Sequence, residues 1–194
     1  MEKTDPASAR DFFGKCTDVR PDYAPAWLNL GTNLAEAGDL DGAASKFTRA
    51  LLDPEVATQA AVNLGLVDVM RANKMAVGGD LLAARDLLDE NIIRITDTLK
   101  EKSVNNLFRG GSSELDAARQ LLVKLKITCG QVLVGMKDMA RAEEMFRDLT
   151  ISDPETPMAW AALKRVLEMG GGDTNEIAKI GEKMREFMPP SPSP

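Results

Sequence analysis

Histidine is absent from the 194 residues, and with it goes the commonest general base, activator of nucleophiles and transition-metal ligand. Ser/His, Cys/His and most zinc chemistries are thereby excluded. Cysteine occurs only at Cys16 and Cys129, each on an apolar helical stripe where a thiol behaves as a small buried hydrophobe. Two isolated thiols fit a reducing compartment: the cytoplasm, or an organellar matrix or stroma if a transit peptide has been removed. Aromatic residues are scarce, at 5% against 44% hydrophobic residues in all, so the interior has to be built from Ala and Leu, as close-packed helices are. Basic residues are outnumbered, 24 to 30, for a net charge of -6, and no Lys/Arg run stands out. A nucleic-acid partner therefore lacks its electrostatic footprint. No window approaches 18 consecutive apolar residues, and the start MEKTDPASAR has no apolar core after a basic beginning, so direct membrane insertion is not expected. No stretch alternates like a strand, which leaves an all-α chain of about nine helices.

What is present is organised around Ala26 to Pro54. Trp27, Leu30, Leu34 and Ala37 recur at helical spacing, and Ala43, Phe47, Ala50 and Leu51 form a second stripe after a break at Gly38-Asp39-Leu40-Asp41. Two stripes joined by a short polar turn predict a helical hairpin. Gly31 and Ala43 leave room for the backbones to approach, and Trp27 and Phe47 fill the flanks.

Trp27, Leu30, Gly31, Leu34, Ala43, Phe47, Ala50 and the closing Asp53-Pro54 resemble the signature of the tetratricopeptide repeat, a helix-turn-helix unit of about 34 residues. The resemblance implies a short right-handed α-solenoid. Around this best repeat (24–54), residues 5–20 are expected to form a capping helix, with Ala9, Phe13 and Cys16 standing 34 residues ahead of Ala43, Phe47 and Ala50. Residues 55–136 read as divergent, elongated repeats, with Ala61, Leu64 and Gly65 on the pattern and Asp68 where the family has an aromatic. The connection before Gly79-Asp80-Leu81 is about seven residues longer than in the first hairpin, so the first helix must be extended or the turn enlarged. Periodicity then predicts a helix from Asp80 to about Phe108, about 40 Å long, with Ser103-Val104-Asn105-Asn106 as a possible break, and another over Glu114 to Val134. Residues 137–188 return to the pattern through Ala142, Phe146, Leu149 and Asp153-Pro154, then Trp160 and Leu163. A last helix begins at Asp173 or Thr174, and residues 189–194 form a Pro/Ser tail of polyproline type.

Chemistry finds little purchase. The carboxylate pairs Asp39/Asp41, Asp89/Glu90 and Glu143/Glu144 are adjacent or lie in a polar turn and read as solvated surface. Arg109-Gly110-Gly111-Ser112-Ser113 lacks the Lys and spacing of a P-loop. No catalytic, cofactor or metal site is assigned.

The resemblance places the functional surface in a concave groove lined by the first helix of each repeat. Carried over by register, the inward residues are Leu28, Thr32, Ala35, Val62, Asn63, Leu66, Val69, Lys124, Ile127, Gln131 and Arg165. Several of these, Val62, Leu66 and Ile127 above all, could equally pack on neighbouring helices. Chaperone-binding members hold a C-terminal carboxylate with Lys, Asn and Arg residues; Asn63 and Lys124 match two of those places, whereas Leu28, Thr32 and Thr128 depart from them. A second contact is expected at the tip of the long hairpin (Leu107, Phe108, Arg109), where Val104, Leu107 and Phe108 are more apolar than a free tip usually tolerates, with Phe108 the anchor and Arg109 its polar neighbour. The expected function is a non-enzymatic protein-protein interaction scaffold, a subunit or assembly factor of a larger complex, with a chaperone adaptor for a C-terminal peptide as the alternative.

Overall fold

A computed structural model describes residues 6–105 and 113–187. Among these residues there are nine helices and no strand: α1 (Pro6–Val19), α2 (Ala24–Glu36), α3 (Leu40–Ala50), α4 (Ala57–Val77), α5 (Leu81–Asn105), α6 (Ser113–Gly135), α7 (Met139–Ser152), α8 (Pro157–Gly170) and α9 (Thr174–Glu186).

The turns follow from local chemistry. At three of them a residue in the left-handed region, Gly38 at φ 82°, Gly79 at φ 91° and Lys137 at φ 64°, ends one helix and an Asp begins the next. The N–H groups of Asp39, Asp80 and Asp138 each donate to the carbonyl five residues back, on Leu34, Met75 and Leu133, at 2.9 Å. That is the closing bond of a Schellman turn. The same aspartates then accept from the backbone of Gly42, Ala83 and Arg141, satisfying a free N–H at the start of α3, α5 and α7. Two other helix starts also share a device: Trp27 and Trp160 each donate their indole N–H to a proline carbonyl six residues earlier, Pro21 at 2.9 Å and Pro154 at 2.8 Å.

Each helix packs on its successor in the chain, and the contacts beyond that are ordered. α2, α4, α6 and α8 touch one another in succession, whereas the backbones of α3, α5, α7 and α9 stay apart and are bridged by side-chain ion pairs such as Arg141–Asp89 and Arg147–Glu176. An inner row in contact and an outer row held apart define a curved helical-repeat array whose concave side carries α2, α4, α6 and α8.

Close approach within the hairpins is set by glycine. A Cβ on Gly31 would stand 2.7 Å from Phe47 Cε1, and one on Gly130 would stand 2.4 Å from Phe146 Cζ. Both rings are fully buried, each worth about 1.5–3 kcal/mol in apolar transfer.

The centre is built differently. α4 has 21 residues against 13 in α2, so the longer connection foreseen from the sequence is taken up by helix rather than by an enlarged turn. α5 has 25 residues and runs through Ser103-Val104-Asn105, so those three continue the helix without a break. Asn106 and the expected end at Phe108 lie outside the described residues. Gly65 is closed by Leu121 of α6, whose Cδ2 would stand 2.6 Å from an added Cβ.

Between α4 and α5 lies a polar chain where a repeat has rings. Asp68 and Asn91 are 2% and 0% exposed. Asn91 donates to Asp68 Oδ2 at 3.1 Å and to the Leu87 carbonyl at 2.8 Å. Arg71 donates to Asp68 Oδ1 and to Asp41 of α3, both at 2.8 Å, and Arg94 donates to Asn91 Oδ1 and Glu90 Oε1, both at 2.9 Å. Both carboxylate oxygens of Asp68 are thus engaged, which is the condition for burying it.

Candidate partner-binding face

The inner row positions the residues assigned to the groove, and their exposure divides them. Leu28 and Val69 are buried and face the core, Val69 in the main cluster and Leu28 in the N-terminal one. Register alone places both on the inner side, but neighbouring side chains cover them in the fold. Val62 is half-buried against the same main cluster, and Thr32, Ala35 and Asn63 are half-buried, the Thr32 hydroxyl being used by the Leu28 carbonyl at 3.1 Å. Leu66, Lys124, Gln131 and Arg165 are exposed.

Three of the expected residues meet at one place. Ile127 and Gln131 of α6 and Arg165 of α8 line an open pocket of about 300 Å³, completed by Val134, Met158, Ala161, Ala162 and Val166, with Phe146 at its base. Ile127 is 7% exposed, so it forms wall rather than rim. The pocket lies between α6 and α8, successive members of the inner row, beside the ring that fills the Gly130 notch.

Sequence reasoning missed Met158, Ala161 and Ala162. Their signal was available: 158, 161, 162, 165 and 169 repeat at helical spacing on α8, and Met158 and Met169 are both exposed. Met70, one turn beyond Leu66 on α4, was missed likewise and is 52% exposed. Flexible thioethers on an accessible face adapt to varied apolar partners.

The places matching a carboxylate clamp offer few donors. Leu28 is apolar and buried, and Thr128 is buried with its hydroxyl given to the Lys124 carbonyl at 2.9 Å. Leu107, Phe108 and Arg109, assigned to the hairpin tip, lie outside the described residues, as does the 189–194 tail.

Elsewhere the titratable groups are occupied structurally. Burial, then the Asp89 carboxylate accepting from its Sγ at 3.4 Å, pushes the Cys129 thiol up to about 12, so it stays protonated and unreactive at neutral pH. A hydrogen bond from Arg147 holds the Glu176 carboxyl below its ordinary value, tying α7 to α9. Among the described residues no cluster of carboxylates or thiols could hold a metal ion, and no helix is long and apolar enough to cross a membrane.

No family model matches this chain, and no curated protein sequence matches it either. Solved structures do. A crystal structure of MamA superposes with a TM-score of 0.58 at 16% identity, over 94% of this chain and 88% of that one. The assembly chaperone of RpL4 (Acl4, residues 1–338) superposes with a TM-score of 0.50 at 17% identity, over 96% of this chain and 70% of that one. At such identities the likeness concerns the fold: this chain is an all-α helical-repeat protein similar in architecture to both.

Proposed function

We propose that the protein is a non-enzymatic protein-protein interaction scaffold, a subunit or assembly factor of a larger complex, that holds its partner on the concave face. The observation that carries this reading is the pocket between α6 and α8, an open apolar depression with Met158 on its rim and Arg165 beside it. Apolar surface on the concave side of a repeat array, with Leu66 and Met70 further along, is the arrangement expected of a docking surface rather than of a reaction centre. A reaction centre would bring titratable groups together, and Arg165 is the one ionisable side chain lining this pocket.

Affinity purification from the native source, read by mass spectrometry, tests the proposal. A reproducible complex that is lost with Ala161→Trp, which fills the pocket from an exposed position, is the expected outcome. A monomer with no reproducible partner, or a complex indifferent to that substitution, overturns it. The tip residues Leu107, Phe108 and Arg109 are proposed as a second contact, to be tested by replacing Leu107 and Phe108 together with Ala and following complex formation beside helicity.

A further inference from the structure

Some cations of this chain pair with its own carboxylates, among them Arg71 with Asp41 and Asp68, Arg94 with Glu90, Arg147 with Glu143 and Glu176, and Lys164, the sequence neighbour of Arg165, with Glu168. Lys124 and Arg165 are among those that do not. Both are exposed, and neither has an ion pair or a side-chain hydrogen bond among the described residues. Both stand on the inner row, Arg165 lining the pocket and Lys124 on the α6 stripe that continues through Ile127 to Gln131. Lys124 lies about one helical turn before Ile127, just outside the lining of the depression, and Arg165 lies within that lining. Arg165 is the one ionisable side chain lining the pocket, so the charge at its edge is positive.

We infer that the pocket takes an apolar side chain from a partner segment that also carries an internal Asp or Glu, whose carboxylate pairs with Arg165, while Lys124 extends the acidic preference along α6. The inference rests on the groove reading above and specifies its ligand. The apolar walls fix the first requirement, and the unpaired guanidinium fixes the second, because a planar fork of donors matches a carboxylate in two parallel bonds. The carboxylate is placed on a side chain rather than a chain terminus, since of the places that would collect a terminal carboxylate only Asn63 and Lys124 keep a suitable donor, while Leu28 is buried and the hydroxyls of Thr32 and Thr128 are committed.

A displayed library of random 12-residue peptides, selected on the full chain, tests this. Selected sequences are synthesised with amidated C-termini and titrated by fluorescence anisotropy against the wild type, Arg165→Glu and Ala161→Trp. The expected peptides carry an apolar residue with Asp or Glu within about one helical turn, bind equally well with free or amidated ends, and weaken about tenfold or more against Arg165→Glu. Exchanging their acid for Lys restores binding to that variant. Peptides lost with Ala161→Trp but free of acids, or held by Arg165→Glu within twofold, overturn the inference and leave the groove reading intact. Peptides indifferent to Ala161→Trp overturn both, and a selection that enriches nothing overturns the inference.

Discussion

The N-terminal hairpin α2–α3 and the central hairpin α4–α5 meet the same demand, two helices held in register at close range, with opposite chemistry. In the first, the Phe47 ring seats against Gly31, and shape alone fixes the register. In the second, Leu121 of another hairpin fills the Gly65 notch, and a chain of hydrogen bonds through Asp68 and Asn91 locks α4 to α5. The difference predicts where the molecule is brittle. A packed ring tolerates shaving by degrees, whereas a buried carboxylate is either satisfied or a large liability.

The sharpest break is therefore Asp68→Ala, which takes one of the two acceptors of the buried Asn91 amide and one partner of Arg71 in a site only 2% exposed. A loss of about 3 kcal/mol or more in urea denaturation is expected. Replacing Asp68 and Asn91 together by Leu should recover part of that loss, because no polar group of the pair is then left unmet. If Asp68→Ala cost no more than an exposed substitution, the polar chain would not be holding the hairpin.

Next in size is the shape-based side of the comparison. Gly130→Ala drives a methyl to within 2.4 Å of the Phe146 ring, and Gly31→Leu does worse against Phe47, so losses of about 1–3 kcal/mol are expected. Phe146→Leu should partly rescue Gly130→Ala, a coupling that a double-mutant cycle reads directly. Additivity of the two would mean that the ring and the glycine do not share the notch.

How much of this was legible beforehand differs between the same two regions. Gly31, Phe47, Gly130 and Phe146 announce themselves by spacing, and the helix limits follow from Asp caps and glycine stops, so both outer regions could be read from sequence. In the centre Asp68 is visible only as a missing aromatic, and Asn91, 23 residues away, reads as a small residue at a small place. Nothing local says that the two will bond, and nothing local says that Gly65 will meet Leu121 of a helix beyond its own hairpin. On the inner face, register put Gln131 and Arg165 among the inward residues but could not foresee that they meet in one pocket or that Leu28 and Val69 are buried, because both depend on the packing of neighbouring helices.

Smaller effects come from turns. Gly38 and Gly79 hold the left-handed conformation without strain, but Lys137 holds it at φ 64° with a Cβ. Lys137→Gly should stabilise the α6–α7 junction by about 0.5–1 kcal/mol, the conformational relief being partly offset by greater freedom of the unfolded chain. The corresponding Gly79→Lys should destabilise α4–α5, and a melting series of both variants with the wild type tests the pair.

The smallest expected effect concerns the far end, where α9 packs on a single preceding helix and the Arg147–Glu176 link adds a tie to α7. Hydrogen bonding to Arg147 lowers the Glu176 pKa from its ordinary 4.5, with the charge of the guanidinium acting in the same direction. A group depressed in the folded state contributes its stability fully above the unfolded value and loses it as pH falls through the folded one. The tie is therefore complete at neutral pH and fades below about 4.5, while Arg147, its own pKa raised by the hydrogen bonds to Glu176 and Glu143, stays charged throughout. Because both side chains remain more than a third exposed, solvent screening limits the contribution to about 0.5 kcal/mol. Denaturation of the wild type and Glu176→Gln should differ by about that much at pH 7, the gap should shrink in salt, and it should narrow as the pH is lowered below about 4.5. A gap that persisted unchanged at pH 3 would place the effect of the substitution in packing rather than in charge.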